Sequence, residues 1–411
     1  MRKDTTPDFS IRSTTFFMKC VGLWIAENDG EERLRKIAWG YTIWTTCFAT
    51  VMQCRDVYYS WGDLKATLFC LCNVLCLLLV GVKVLISLIH KMEFFELILY
   101  MREHFWNCNS YDAEKKIVDQ SKKTCILFTS IVTISGHGTV AGYLLTPIIA
   151  NIGKNESDRI FPFNMWMPQL PLTMTPYFEL CFIVQAFTFY QIAICYFSFD
   201  NILCIINVHL SGQFRILQYR LETLCHMERK TEIEDAYDNV MLNDASTSYE
   251  KLKNCIRQHQ VLIDFSVKIE NMFTLMILAQ VIIFSALICL LGYQTILETA
   301  STAKRCGFLS STLGSAFMLL MFTYSCHSIV SESDKVGVSA YSGLWSVMPM
   351  NQPGKALRKD LMMIMLRSEH VCCLTAFGFF PISLETYTKI MSTAVSYFTL
   401  LRQSTDSTIE S

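Results

Sequence analysis

Charge is scarce in this chain. Only 17% of its 411 residues are Asp, Glu, Lys or Arg, against 52% apolar and 13% aromatic. A soluble domain of this length needs more polar surface, so water is not its main solvent. The charges present nearly cancel, with a formal net of -1. That excludes a broad basic field for nucleic acid and a charged tail. Catalytic signatures are missing too: there is no HExxH, GxSxG, Walker loop or kinase set. No catalytic residue can be nominated, no cofactor is expected, and an intramembrane enzyme or carrier is a poor reading. The first 36 residues lack a continuous apolar core ahead of a small-residue cleavage site, so no cleaved signal peptide is expected.

Cysteine is plentiful, with 18 in all, but most fall inside apolar runs, as with Cys70, Cys72, Cys76, Cys181, Cys195, Cys289 and Cys326. Such thiols behave as small hydrophobes. No Cys and His spacing fits zinc, so no metal is expected.

Long apolar runs dominate what is there. A spanning helix needs about 20 largely apolar residues, and seven stretches qualify: 37–58, 64–89, 124–149, 176–206, 268–297, 307–330 and 383–402. Seven crossings put the termini on opposite sides. Lys and Arg are retained in cytoplasmic segments. Most of the 35 lie in the N-terminal tail and the second, fourth and sixth loops, including Arg33, Arg35, Lys36, Lys115, Lys116, Arg229, Lys230, Arg358 and Lys359. The expected fold is therefore all-α and polytopic, with seven transmembrane helices, the N-terminus cytoplasmic and the C-terminus extracellular. The sequon Asn155-Glu156-Ser157 falls in the third loop, on the side this topology places outside, which makes Asn155 a glycosylation candidate.

The pattern predicts a cytoplasmic segment over 1–36, helices one to four over 37–206, and a cytoplasmic loop over 207–267. Helices five and six follow over 268–330, a second cytoplasmic loop over 331–382, and a last helix with its tail over 383–411. Leu217, Leu221 and Leu224 at helical spacing predict that helix four continues below the membrane; a flexible middle is expected over 228–248, and a cytoplasmic helix over 357–366. Lys83 and Asp200 are expected to snorkel from the inner ends of their helices. Gly138 and Gly142 are expected to mark close helix packing. His137, with no second ligand nearby, reads as a hydrogen-bonded packing residue rather than a metal ligand.

The seventh span is the polar one. Gly378-Phe379-Phe380-Pro381 breaks any helix arriving from the cytoplasm. Beyond it, Glu385, Lys389, Ser392 or Thr393, Ser396, Leu400 and Gln403 fall along one stripe at roughly 100 degrees per residue. Such a stripe either lines water, with Leu400 as a constriction that closes by dewetting, or is polar glue between helices.

Thr375-Ala376-Phe377-Gly378-Phe379-Phe380-Pro381-Ile382-Ser383-Leu384-Glu385-Thr386-Tyr387 and Ser396-Tyr397-Phe398-Thr399-Leu400-Leu401 closely resemble the C-terminal signature of insect odorant receptors. Met18-Lys19-Cys20-Val21-Gly22-Leu23-Trp24 and Ala340-Tyr341-x-x-Leu344-Trp345 resemble the family's segments before helix one and in the sixth loop. At Glu369-His370-Val371 the chain departs from the Gln and Pro that many members carry.

The resemblance implies an odorant-gated, non-selective cation channel of four subunits, in which an odorant-tuned chain combines with the odorant co-receptor as a hetero-tetramer. It would pass monovalent cations and Ca2+ across the plasma membrane of olfactory sensory neurons. By motif position Leu400 resembles the gate, with Ser392, Ser396 and Gln403 along the pore and Glu385 and Lys389 as charges at its mouth. The family's pocket for a small volatile ligand lies in the outer half of the bundle. The outer halves here offer Phe69 and Asn73, then His137 and Tyr143. The fourth and sixth helices add Tyr177, Phe178, Phe182 and Gln185, and Thr312 and Phe317. The alternatives are a gustatory-type ligand-gated channel and a metabotropic seven-helix chemoreceptor.

Overall fold

A computed structural model describes residues 9–106, 112–163, 171–224, 237–297, 302–343 and 350–409. Its helices are α1 (Phe9–Val21), α2 (Asp29–Tyr59), α3 (Leu64–Ile89), α4 (Lys91–His104), α5 (Asp112–Ala150), α6 (Tyr177–Glu222), α7 (Tyr237–Leu297), α8 (Thr302–Ser342), α9 (Gln352–Ser368) and α10 (Leu384–Ile409), with a short 3-10 turn at Glu156–Asp158. The seven expected spans fall on α2, α3, α5, α6, α7, α8 and α10. No strand occurs among the described residues beyond an isolated bridge between Thr375 and Pro381.

Among the described residues five helices are long and apolar enough to cross a membrane: α3, α5, α6 and the Thr247–Ile296 and Arg305–Ser342 parts of α7 and α8. Composition alone does not select α2 and α10, because both are rich in hydroxyl residues. Those hydroxyls are satisfied inside their own helices. Thr42, Thr46 and Thr50 donate to the carbonyls of Ala38, Thr42 and Thr46 at 2.9, 2.8 and 2.7 Å. Thr393 and Ser396 do the same to Lys389 and Ser392 at 2.8 and 2.9 Å. A hydroxyl bonded this way presents little unmet polarity to an apolar surrounding.

The element α6 is the central post, packed most extensively against α8 and α5, while α3 packs on α7. From Ile194 to Leu221 nearly every α6 side chain is buried. The helix runs on past the apolar stretch, as the spacing of Leu217 and Leu221 predicts. There the Arg220 guanidinium donates twice to the Glu114 carboxylate of α5 (2.7 and 3.0 Å) and once to Gln258 of α7 (2.8 Å). Three helices are thus tied at one end by a forked, charge-assisted contact. Residues 352–368 form α9, capped by the Asn351 carboxamide accepting from the Gly354 N–H at 2.9 Å. It buries Leu357, Leu361 and Ile364 against α7 and α8. Each of these contributes about 1.5–3 kcal/mol where the surrounding medium is water.

The Met18–Trp24 motif has a mechanical explanation. Gly22, at φ +83°, ends α1 in a paired bond pattern: its N–H reaches the Lys19 carbonyl at 3.0 Å and the Leu23 N–H reaches Met18 at 2.9 Å. A Cβ at Gly22 would lie 2.6 Å from the Trp39 backbone nitrogen. Only glycine allows both the left-handed turn and this approach to α2. The turn is fastened outside by Glu31, whose carboxyl is held below the usual carboxylate range first by the Glu27 backbone N–H and then by Lys19.

Three expectations are corrected. Lys83 and Asp200 do not snorkel: they are buried and paired with each other. The close-packing glycine of α5 is Gly136, where a Cβ would meet the Phe197 ring at 2.8 Å, whereas Gly138 and Gly142 face open space. The polar stretch 228–248 is helical from Tyr237 onward, as the first turns of α7; residues 225–236 and the Leu344-Trp345 part of the sixth-loop motif lie outside the described residues.

Candidate ligand site and pore helix

The end of the bundle bearing residues 60–63, 151–163 and 171–176, the outer end in the expected topology, is built from aromatics. Tyr143 of α5 stacks on Phe163 of the connection, with centroids 5.7 Å apart and ring planes within 14°, and lies 5.3 Å from Phe189 of α6. Phe163 and Phe189 close the triangle at 5.0 Å. Gln185, one turn before Phe189, holds Phe163 in place from both sides: its Nε2 donates to the Phe163 carbonyl (3.0 Å) and its Oε1 accepts the Phe163 N–H (3.2 Å). A chain segment outside regular structure has its backbone groups satisfied by one buried amide, which fixes Phe163 against α6.

Other candidates form neighbouring groups. Phe178 lies between Phe161 (4.8 Å) and Phe182 (6.0 Å), with the Arg159 guanidinium 5.2 Å over its ring. His137 is the packing residue expected: Nδ1 lies 2.8 Å from the Thr133 carbonyl, and its ring stands 5.5 Å from Phe17 of α1 and 5.3 Å from Phe197. Tyr190 Oη approaches its Nε2 at 3.4 Å. Phe69 pairs with Phe308 across α3 and α8 at 6.3 Å, and the Thr312 hydroxyl donates to the Phe308 carbonyl at 2.8 Å. Asn73 has a buried Nδ2 with no hydrogen-bond partner among the described residues, a donor suited to one polar group on a ligand.

Not every nominated residue joins the aromatic groups. Tyr177 opens α6 with 43% of its surface exposed, and Phe317 packs toward a separate cluster with Phe128, Val208 and Met321. The sequence does not point to Phe161, Phe163 or Phe189, nor to Gln294, a buried amide whose two ends have no partner among the described residues. Phe189 is legible in principle, being one helical turn from Gln185. Phe161 and Phe163 sit in a connection where no periodicity points to them.

The signature before α10 is a folded clasp. Phe377 and Gly378 both have positive φ, 52° and 77°, and reverse the chain. The Ala376 N–H reaches the Phe380 carbonyl at 3.0 Å and the Ile382 N–H reaches Leu374 at 2.8 Å. Glu270 of α7 accepts both the Thr375 N–H (2.7 Å) and its hydroxyl. The Thr274 hydroxyl donates to the Thr375 carbonyl (3.2 Å) and accepts the Phe377 N–H (2.8 Å). Ser383 and Thr386 then exchange bonds across the first turn of α10, and Thr386 Oγ1 donates to the Pro381 carbonyl at 2.9 Å. The break expected at Pro381 is thus a rigid joint between α7 and α10.

Beyond the joint, α10 has two faces. Ala394 is buried, and Phe398 lies 3.4 Å from where a Cβ on Gly292 of α7 would sit. The opposite face carries the stripe: Glu385 and Lys389 pair at 2.7 Å, and Ser392, Ser396 and Leu400 are all exposed, Leu400 by 61%. The Gln403 side chain lies outside the described residues. Asn155 precedes the exposed turn at Glu156–Asp158. Among the described residues no group of three or more His, Cys, Asp or Glu could hold a metal ion, and the described cysteines are free thiols.

Comparison with known proteins adds a sequence relationship and a fold. Odorant receptor 13a of Drosophila melanogaster is 24% identical over 344 residues, covering 80% of this chain and 78% of that protein. The insect olfactory receptor OR5 of Machilis hrabei superposes with a TM-score of 0.79 at 14% identity, covering 95% of this chain and 97% of that one. Its complex with eugenol gives 0.77, with 96% and 97% covered. The family model described as 7tm Odorant receptor matches residues 63–395. The chain belongs to the insect odorant receptor family, a family of multi-pass membrane receptors rather than of enzymes.

Proposed function

We propose that this chain is the odorant-tuned subunit of a ligand-gated, non-selective cation channel in the plasma membrane of olfactory sensory neurons, with the N-terminus cytoplasmic and the C-terminus outside. Four subunits, this chain together with the odorant co-receptor, surround a central pore to which each contributes its α10. The observation that carries this is the two-faced α10. One face is buried at Ala394 and set on α7 by Phe398, while the other leaves a polar stripe ending at Leu400 that no described residue of its own chain covers. An uncovered polar stripe on a helix in a membrane needs water or another subunit beside it.

The ligand site is the outer aromatic group around Tyr143, Phe163, Gln185 and Phe189. The Machilis hrabei receptor has been solved with eugenol, and a small, mostly apolar molecule is the ligand class proposed here, held by dispersion and one hydrogen bond. Binding opens the pore only through tighter binding to the open arrangement. The clasp at Glu270 is the mechanical link, because it joins α7 of the bundle to the start of α10.

Expression with and without the co-receptor, with currents recorded to a broad volatile panel, tests this. Leu400→Ser is expected to raise current in the absence of odorant. Unchanged basal current together with an unchanged odorant response would remove Leu400 from the gate. An N-terminal epitope accessible on intact cells would overturn the orientation and favour a metabotropic receptor.

A further inference from the structure

At the end of the bundle that carries the N-terminus, the α1–α2 turn and helices α2, α3 and α4 surround a cavity of about 130 Å3. Arg35, Lys36 and Lys91 line it, and no carboxylate does. Arg35 and Lys36 share a single counter-ion, Glu32, at 2.6 and 3.8 Å. Lys91 makes no ion pair among the described residues; the nearby Glu93 carboxylate is taken by His90 at 2.8 Å. Three cations against one carboxylate leave two positive charges in excess. Two of them, Arg35 and Lys91, lie over the same Phe95 ring at 5.3 and 5.8 Å. Like charges gathered on one ring repel unless an anion joins them.

A second, independent observation points the same way. Trp39 lines the cavity, and its indole N–H is buried without a partner among the described residues. An indole nitrogen can only donate, so what it lacks is an acceptor. The surroundings are apolar and exposed: Leu34, Ile37, Ile89 and Met92 each keep 67–68% of their surface open beside these cations. Cations next to bare aliphatic side chains mark the boundary between headgroups and acyl chains.

We propose that this cavity binds the phosphate of an anionic membrane lipid, with Arg35 and Lys91 on the phosphate oxygens, the Trp39 N–H donating to one of them, and the acyl chains lying along Ile37, Ile89 and Met92. The lipid belongs to the cytoplasmic leaflet on the orientation proposed above; the chemistry of the site does not depend on that assignment. Gly22 places the α1–α2 turn against Trp39, so the family's Gly-Leu-Trp turn forms one wall of the site.

The test uses the full chain with its co-receptor in phosphatidylcholine nanodiscs, with and without phosphatidylinositol bisphosphate, and reads retained lipid by native mass spectrometry. Wild type is expected to retain the anionic lipid over phosphatidylcholine. Lys91→Gln is expected to weaken retention about five-fold, and Trp39→Phe, which keeps a ring but loses the donor, to weaken it as well. Should Trp39→Phe fail to fold, Lys91→Gln decides alone. Equal retention by wild type and Lys91→Gln overturns the proposal. Displacement of the lipid by inorganic phosphate alone overturns the lipid as the source and leaves a soluble phosphate site. Because the readout needs no current, a silent channel that still retains lipid counts against the proposed gating and not against this site.

Discussion

Lys83 of α3 and Asp200 of α6 form a buried ion pair, Nζ to Oδ1 at 2.7 Å, far apart in sequence and closed off from solvent. The ammonium also donates to the Tyr196 carbonyl at 3.1 Å and lies 4.6 Å over the Tyr196 ring. A charge in an apolar interior persists only when paired and hydrogen-bonded. The pair therefore fixes the rotation of α3 against α6, and α3 in turn packs on α7, which carries the joint to α10.

Removing one partner is worse than removing both. Lys83→Met leaves the Asp200 carboxylate buried alone and is expected to destabilise the fold by about 3–5 kcal/mol. In practice that means loss of surface expression. The double change Lys83→Met with Asp200→Leu is expected to recover a substantial part of the lost expression. Surface labelling and thermal melting in detergent measure both, and a double variant no better than the single would count against the pairing argument.

Loosening the clasp should affect gating before stability. Glu270→Ala leaves the half-buried Thr375 N–H and hydroxyl without their acceptor, at about 1 kcal/mol. The expected outcome is faster hydrogen exchange over 374–382 and a changed open probability, with odorant affinity of the outer site little altered. Normal exchange in this segment would exclude Glu270 as its anchor.

For the outer site, Tyr143→Ala or Phe189→Ala is expected to raise the half-maximal odorant concentration about ten-fold, equivalent to about 1.4 kcal/mol. Ile134→Ala, on the same α5 but 72% exposed, serves as the control. Equal shifts for all three would place the ligand elsewhere.

Gly22→Ala combines a left-handed φ with a Cβ 2.6 Å from the Trp39 backbone nitrogen. It is expected to destabilise the N-terminal packing by more than about 1 kcal/mol, visible as protease sensitivity before α2. Retained resistance would show that the turn can relax.

How much of this was legible beforehand depends on the range of the interaction. Helix α9, the continuation of α6 to Glu222 and the break at Pro381 follow from local periodicity and proline chemistry, and the sequence shows them. Phe163 was not legible, since its place beside Tyr143 depends on Gln185 of another segment bonding its backbone. Lys83 and Asp200 were misread for the same reason: each looks like a charge near a helix end, and only the packing of α3 on α6 makes them one pair. Gly136 outranks Gly138 and Gly142 because Phe197 happens to face it.

By itself the sequence determined that the chain lives in a membrane, where its long apolar segments run and that its last helix carries a polar face, because these rest on composition and on spacing along a single helix. Tertiary structure alone decided which charges are paired, which aromatics meet and how α10 is hinged to α7 through Glu270 and Thr375. Those contacts join residues distant in the chain, and their energies depend on ångström distances that no local pattern encodes.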